Sequence, residues 1–119
     1  MASDASSAAD LCSSIKGSLY WMAPEMIMQK GYGRKIDIWS LGCTLIEMAT
    51  ARHPWPHVQN AHQLVLEIVK GHTPEVPEFL SAEAQDFIRQ CLQYDKHKRP
   101  RPKELLQHPF VLHTSPSSE

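Results

Sequence analysis

The sequence predicts an all-α protein built around one buried helix at about residues 37–51. The polar residues of this stretch, Asp37, Ser40, Thr44 and Glu47, fall at spacings of three, four and three. At that spacing they share one narrow stripe, while apolar side chains cover most of the remaining circumference. A helix that is apolar nearly all round is typical of a buried position. The other periodic apolar segments also have helical spacing, and no pair of strands is evident.

The segments before the central helix predict a disordered start followed by short ordered pieces. Residues 1–14 are rich in Ala, Ser and Asp and contain one large apolar residue, so we expect a disordered tail. A single compact domain is expected over residues 15–111, with a second disordered tail at 112–119. A loop at 17–21 leads into a short helical turn at 23–28, and the glycines around Tyr32 then break the chain.

Capping residues predict where the longer helices begin and end. Asp37 is the predicted N-cap of the central helix. Asn60 is expected to cap a second helix at 61–70, which Gly71 terminates. Ser81 is expected to cap a third helix at 82–92.

After these helices, a basic loop is expected to lead into a short last helix. Lys96–Lys103 could form a nucleic-acid patch, but its pattern is more typical of a solvated loop with Arg99 turned inward. Pro102 is expected at the start of the last helix, which runs to Gln107 and ends at His108-Pro109.

Composition and charge exclude several classes of function. Twelve basic and thirteen acidic residues give a net charge of −1, so no global field favours nucleic acid or a membrane surface. No segment approaches the roughly 18 apolar residues of a membrane span, and the first residues lack the pattern of a signal peptide. The three cysteines are far apart and the seven histidines lack ligand spacing, so we expect reduced thiols and no metal site. These features predict a cytoplasmic protein.

Four segments carry a specific resemblance. They are GSLYWMAPE at 17–25, DIWSLGC at 37–43, KRP at 98–100 and LLQHPF at 105–110. In this order and spacing they resemble the C-terminal lobe of protein serine/threonine kinases, and most of all mitogen-activated protein kinase kinase kinases. The resemblance extends over about residues 13–111 and implies a partial kinase lobe that begins near the end of the activation segment.

The resemblance implies two structural roles. Glu25 ends the A-P-E motif, and in the family this Glu pairs with an Arg that matches Arg99 here. Asp37 matches an Asp that anchors the catalytic loop to the central helix. In a chain without that loop, Asp37 is better explained as a simple helix cap.

The resemblance also implies a substrate-binding loop and two phosphorylation candidates. The loop that seats the residue after the substrate's acceptor hydroxyl matches Gly17, Ser18, Leu19, Tyr20 and Trp21. Ser18 and Leu19 stand where relatives commonly have Thr and Pro, and Tyr20 and Trp21 are equally well explained as core anchors. Ser13 and Ser14 match positions that the family often phosphorylates, although serines are also common in disordered tails.

The resemblance implies ATP and Mg²⁺ for the complete domain, but these 119 residues contain no G-x-G-x-x-G, V-A-I-K, H-R-D or D-F-G motif. We therefore expect no catalytic, cofactor or metal residue in the chain.

Two functions stay open. The first is a fragment of a kinase that acts on a downstream kinase. The second is a non-catalytic docking module that uses the helix at 61–70. Without the missing segments, we also expect self-association through the uncovered apolar surface of the central helix.

Overall fold

The computed structural model describes residues 19–31 and 33–113. Within this part of the chain there are six α-helices, two short 3-10 turns and no strand, so the predicted all-α class is confirmed. The helices are α1 Pro24–Ile27, α2 Lys35–Thr50, α3 Ala61–Val69, α4 Ala82–Cys91, α5 Pro102–Leu105 and α6 Pro109–His113, and the 3-10 turns are Leu19–Trp21 and Lys96–Lys98. Predictions for residues 1–18 and 114–119 lie outside the described residues.

The central helix α2 supplies the middle of the hydrophobic core. Its buried residues face the other elements and are Ile38, Trp39, Gly42, Cys43 and Ile46. The core continues into the first 3-10 turn, into α1 and into the faces of α3 and α4 that carry Leu64, Ile68 and Ile88. The prediction that one helix organises the chain is therefore confirmed.

The start of α2 differs from the sequence prediction. Asp37 is not the N-cap, because the helix begins at Lys35 and Arg34 occupies the capping position. The Asp37 N–H already donates to the Arg34 carbonyl at 3.1 Å, inside the first turn. A tertiary contact explains the earlier start: the Lys35 ammonium donates to the Arg99 carbonyl at 2.5 Å, which fixes the first helical residue.

One side of α2 is uncovered. The side chains of Leu41 and Met48 are 38% and 74% exposed. They are seven residues apart and so lie on the same face, two turns from each other. This exposure agrees with the expectation that part of the apolar surface of the central helix is uncovered, and it shows that α2 is not buried all round. The helix is buried on one side only within the described residues.

The helices α2 and α4 approach closely at Gly42. A Cβ atom added to Gly42 would lie 2.9 Å from the Cys91 Cβ and 2.9 Å from the Leu92 Cδ2. Real Cβ atoms do not approach so closely, so only glycine fits this crossing without displacing a neighbour.

Local capping sets the starts of α3 and α4 as predicted. The Asn60 side chain accepts the Gln63 N–H at 2.9 Å, and the Ser81 hydroxyl accepts the Ala84 N–H at 3.1 Å. Helix α3 ends at Val69, and Gly71 follows with a φ of +87°, a conformation that glycine adopts without strain.

The helix α6 was not predicted. Pro109 is its first residue rather than the end of the helix before it. The His108 Nδ1 accepts the Phe110 N–H at 3.0 Å and so satisfies a donor of the first turn. Leu112 and His113 belong to this helix, although they fall in the stretch predicted as a tail. None of the helices described is long and apolar enough to cross a membrane.

Candidate functional site

Arg99 is the centre of a buried polar cluster that joins three parts of the chain. It is 2% exposed and forms a two-point ion pair with Glu25, which is 8% exposed, through two N···O contacts of 2.7 Å. Its three other N–H groups donate to the backbone carbonyls of Gln93, Lys35 and Tyr94 at 2.7, 3.0 and 3.2 Å. All five donors of the guanidinium are thus satisfied, as a buried cation requires.

The environment of Glu25 keeps its carboxyl ionised. Burial raises the pKa of Glu25, but the hydrogen bond from Arg99, a backbone hydrogen bond and the positive charges of Arg99 and Lys96 lower it more, so the pKa lies below its ordinary value of 4.5. Arg99 also lies 5.2 Å from the centre of the Trp39 ring, which adds a cation–π contact with the central helix. We call Glu25, Lys35 and Arg99 the anchor cluster.

The basic segment before α5 adds further hydrogen bonds next to the anchor cluster. The Lys96 ammonium donates to the Gly31 carbonyl at 2.7 Å, and the 3-10 turn Lys96–Lys98 is capped by Asp95. Together with the contacts of Lys35, these bonds tie the loop before α2 to the loop after α4. The side chains of Arg99 and Lys96 thus bind other segments of the same chain.

The 3-10 turn Leu19–Trp21 lies against the central helix and is fixed by two polar residues of α2. The Ser40 hydroxyl donates to the Trp21 carbonyl at 2.9 Å, and the Trp21 indole N–H donates to the Glu47 carboxylate at 3.2 Å. Leu19 is buried in the core, whereas Tyr20 and Trp21 are half-buried and keep part of their rings at the surface.

Tyr20 has a further partner after the end of α2. Its ring stacks on the His53 imidazole with 3.9 Å between the ring centres and 23° between the planes. The His53 Nδ1 accepts the Trp55 N–H at 3.1 Å, so this nitrogen carries no proton in the observed arrangement. Burial lowers the pKa of His53 from its ordinary value of 6.5, which also favours the neutral ring.

The remaining predicted site residues are not brought into this arrangement. Asp37 is exposed, and its carboxylate accepts no hydrogen bond from the described part of the chain. Ser13, Ser14, Gly17 and Ser18 lie outside the described residues.

Sequence reasoning missed Ser40, Glu47 and His53 as partners of the 3-10 turn. Ser40 and Glu47 are seven residues apart on the polar stripe of α2, so their shared face was visible in the sequence. The stripe did not show which segment it contacts. No local signal identified the contact of His53 with Tyr20, because the two residues are far apart along the chain.

The two described cysteines lie in the hydrophobic core. Cys43 and Cys91 are buried free thiols, and burial raises the pKa of both, that of Cys91 to about 12. Such thiols stay protonated at neutral pH and are inert. Across residues 19–31 and 33–113, no group of three or more His, Cys, Asp or Glu side chains is arranged to hold a metal ion.

Comparison with known proteins identifies the family. The protein kinase domain family matches residues 1–111, which include both the anchor cluster and the turn Leu19–Trp21. The chain belongs to the protein kinase family. The predicted kinase resemblance is therefore confirmed.

The similar kinases carry related names. A mitogen-activated protein kinase kinase kinase 3 of Arabidopsis thaliana is 48% identical over 86% of this chain, and a mitogen-activated protein kinase kinase kinase A of Dictyostelium discoideum is 44% identical over 83%. The human mitogen-activated protein kinase kinase kinase 19 is 45% identical over 86%. This kinase chain spans only 17%, 11% and 8% of the lengths of these three relatives.

Proposed function

We propose that this chain forms the substrate-seating part of a serine/threonine kinase of the mitogen-activated protein kinase kinase kinase type. The observation that supports it most is the double fixation of the turn Leu19–Trp21. Ser40 and Glu47 hold Trp21 from the central helix, while the rings of Tyr20 and Trp21 keep exposed surface for a peptide. A rigid backbone with partly exposed aromatic rings suits the recognition of an extended peptide segment.

In the proposed role, the turn contacts the substrate residue that follows the acceptor hydroxyl. Tyr20 and Trp21 supply the contact surface, and the buried Leu19 supports them from below. The pair Glu25–Arg99 holds the other end of the same segment to the domain. The complete enzyme would transfer phosphate from ATP, with Mg²⁺, to a serine or threonine of a downstream kinase.

For these 119 residues on their own we expect no phosphoryl transfer. The motifs that hold nucleotide phosphates, magnesium and the catalytic Asp are not in the sequence, and transfer depends on those groups. We propose that the exposed Asp37 carboxylate accepts backbone N–H groups of the catalytic loop in the complete domain. Isothermal calorimetry with Mg·ATP should therefore show no binding to the isolated chain.

A chimeric kinase tests the proposal directly. Residues 13–111 would replace the matching segment of the Arabidopsis relative, and phosphorylation of a serine-centred peptide library would be measured. We expect an active chimera, in which Tyr20→Ala raises the peptide KM several-fold while the KM for ATP stays constant. Glu78→Gln, at an exposed position away from the turn, is the matched control. A folded chimera that binds ATP and phosphorylates no peptide contradicts the proposed role.

A second candidate function is a non-catalytic docking module, because α3 presents apolar side chains to solvent. Leu66 and Val69 are 52% and 59% exposed, and their spacing of three places them on one face of the helix. Such a face could bind a downstream kinase in competition with a complete kinase. If so, the isolated chain inhibits the relative's phosphorylation of its substrate, and the double substitution Leu66→Asp and Val69→Asp abolishes the inhibition.

A further inference from the structure

We propose that His53 is a positioning residue for the turn Leu19–Trp21, and that it holds Tyr20 in place only while its imidazole is neutral. The positioning of Tyr20 follows from the contacts of the His53 ring with Tyr20 and Trp55 alone. Its consequence for substrates rests on the function proposed above.

The imidazole of His53 is oriented by a buried part of the fold. Its Nδ1 accepts the N–H of Trp55, whose side chain is buried and whose carbonyl accepts the Val58 N–H at 2.9 Å. Because this amide belongs to a fixed loop, the plane of the imidazole is fixed as well. The ring of Tyr20 then lies parallel to it within 23°. The orientation of Tyr20 is thus set by a residue that follows the end of α2.

Protonation removes this orientation. An imidazolium carries a proton on Nδ1, so two N–H groups would face each other where one now donates to a lone pair. The ring must rotate to relieve that contact, and rotation breaks the parallel stack. The attraction between a cation and the Tyr20 ring acts in the opposite direction, but it does not require the present ring orientation.

The titratable groups that face His53 come from three elements. Burial lowers the pKa of His53 most, Glu47 of α2 raises it, and His57 of the following loop lowers it. Tyr20 of the first turn faces its ring. Because the pKa in the folded state lies below 6.5, the stack is complete at neutral pH and is lost as the pH falls through this lowered value.

Glu47 extends the effect to the rest of the turn. Its carboxylate accepts the Trp21 indole N–H, and its negative charge acts on His53. An imidazolium would compete with Trp21 for the same carboxylate. Proton uptake at His53 therefore affects both partly exposed rings of the turn.

Nuclear magnetic resonance on the 119-residue chain tests the geometry. The ring signals of Tyr20 and His53 would be followed between pH 7.5 and 4.5. We expect both to change with one midpoint below 6.5, since each pH unit alters the ratio of neutral to protonated imidazole about tenfold. In His53→Phe, whose ring takes up no proton, the Tyr20 signals become independent of pH, whereas the control His62→Asn titrates like the original chain. Tyr20 signals that do not follow His53, or a midpoint at or above 6.5, overturn the proposal.

The chimeric kinase separates this proposal from the proposed function. With both correct, the peptide KM rises several-fold as the pH falls through the His53 midpoint, and His53→Phe removes that rise. A coupled titration of both rings in a chimera that phosphorylates no peptide overturns the proposed function alone. An active chimera whose Tyr20 signals ignore His53 overturns the positioning role alone.

Discussion

Arg99 illustrates how a single side chain can organise a small fold. Each of its five N–H groups finds a different acceptor atom, two on the Glu25 carboxylate and three on backbone carbonyls. A lysine has three donors around one point and cannot reproduce this planar arrangement. The residue type is therefore dictated by the number and the directions of the acceptors.

Removing either partner of the Glu25–Arg99 pair should be strongly destabilising. Glu25→Gln leaves the buried Arg99 cation without its counter-charge, and Arg99→Met leaves the Glu25 carboxylate without its own. We expect a loss of about 3–5 kcal/mol in the free energy of unfolding. Urea denaturation followed by circular dichroism measures it. The exposed control Glu78→Gln should change stability by less than about 0.5 kcal/mol. Equal small effects for all three variants would show that the pair does not stabilise the fold.

For individual residues, the sequence indicated which side chains are important better than it indicated their contacts. The resemblance suggested Glu25 and Arg99 as partners, and both lie in one buried cluster. It could not indicate the carbonyls of Lys35, Gln93 and Tyr94, because every residue has a carbonyl and only the folded backbone selects among them. The stack of His53 on Tyr20 was missed for a similar reason, since neither residue has a local pattern that requires the other.

The ends of the helices show which boundaries can be predicted from sequence and which cannot. Asn60 and Ser81 cap α3 and α4 through hydrogen bonds to residues three positions later, so the signal is local and readable. The start of α2 depends instead on the distant Arg99, and the prediction of Asp37 as its cap was wrong. The helix α6 was missed because a proline can either end one helix or begin the next.

The crossing of α2 and α4 provides a test at the level of elements. Gly42→Ala adds a methyl group 2.9 Å from the Cys91 Cβ, an atom fixed by the α4 backbone. Overpacking typically costs about 1–3 kcal/mol, while alanine in a helix gains about 1 kcal/mol over glycine. We expect net destabilisation and a lower melting temperature in calorimetry.

A double-mutant cycle with Leu92→Ala shows which neighbour opposes the added methyl group. We expect Gly42→Ala to destabilise the Leu92→Ala chain as well, because the Cys91 Cβ still blocks the methyl group there. A Gly42→Ala chain that melts higher than the original would mean that the helices can separate without cost.

We predict that the uncovered side of α2 promotes self-association of the chain in solution. Leu41 and Met48 lie on the same exposed face, and exposed apolar surface favours association. We expect Met48→Lys to shift the chain toward monomer in size-exclusion chromatography over a range of concentrations. Its stability should stay within about 0.5 kcal/mol of the original. Phe79→Lys, which removes an exposed aromatic ring elsewhere, is the control, and an equal shift in both variants would contradict a specific role of this face.

Acid should destabilise the whole molecule in two stages. The pKa of His53 is lowered by burial, so stability starts to fall as the pH drops below 6.5. The pKa of Asp86 is lowered by hydrogen bonds from His108 and Gln90 from an ordinary value of 3.8, and that of Glu25 lies below 4.5. Both carboxylates contribute stability above their ordinary values, which is lost as the pH falls through the lowered ones. Urea midpoints at pH 7, 6, 5, 4 and 3 check this, and a constant midpoint from pH 5 to 3 would contradict the assignment of the carboxylates.

The five bonds of Arg99 also affect how the native state opens. Its acceptors lie in α1, at the start of α2 and just beyond the end of α4, so these regions cannot separate one at a time without leaving a cation unpaired. Their slowest-exchanging amide protons should therefore exchange with solvent deuterium at a common opening free energy, as one cooperative unit. Helix α3 makes no bond with Arg99 itself and is joined to this unit by the Tyr94 hydroxyl, which donates to the Ile68 carbonyl. We expect its amide protons to exchange at a different opening free energy.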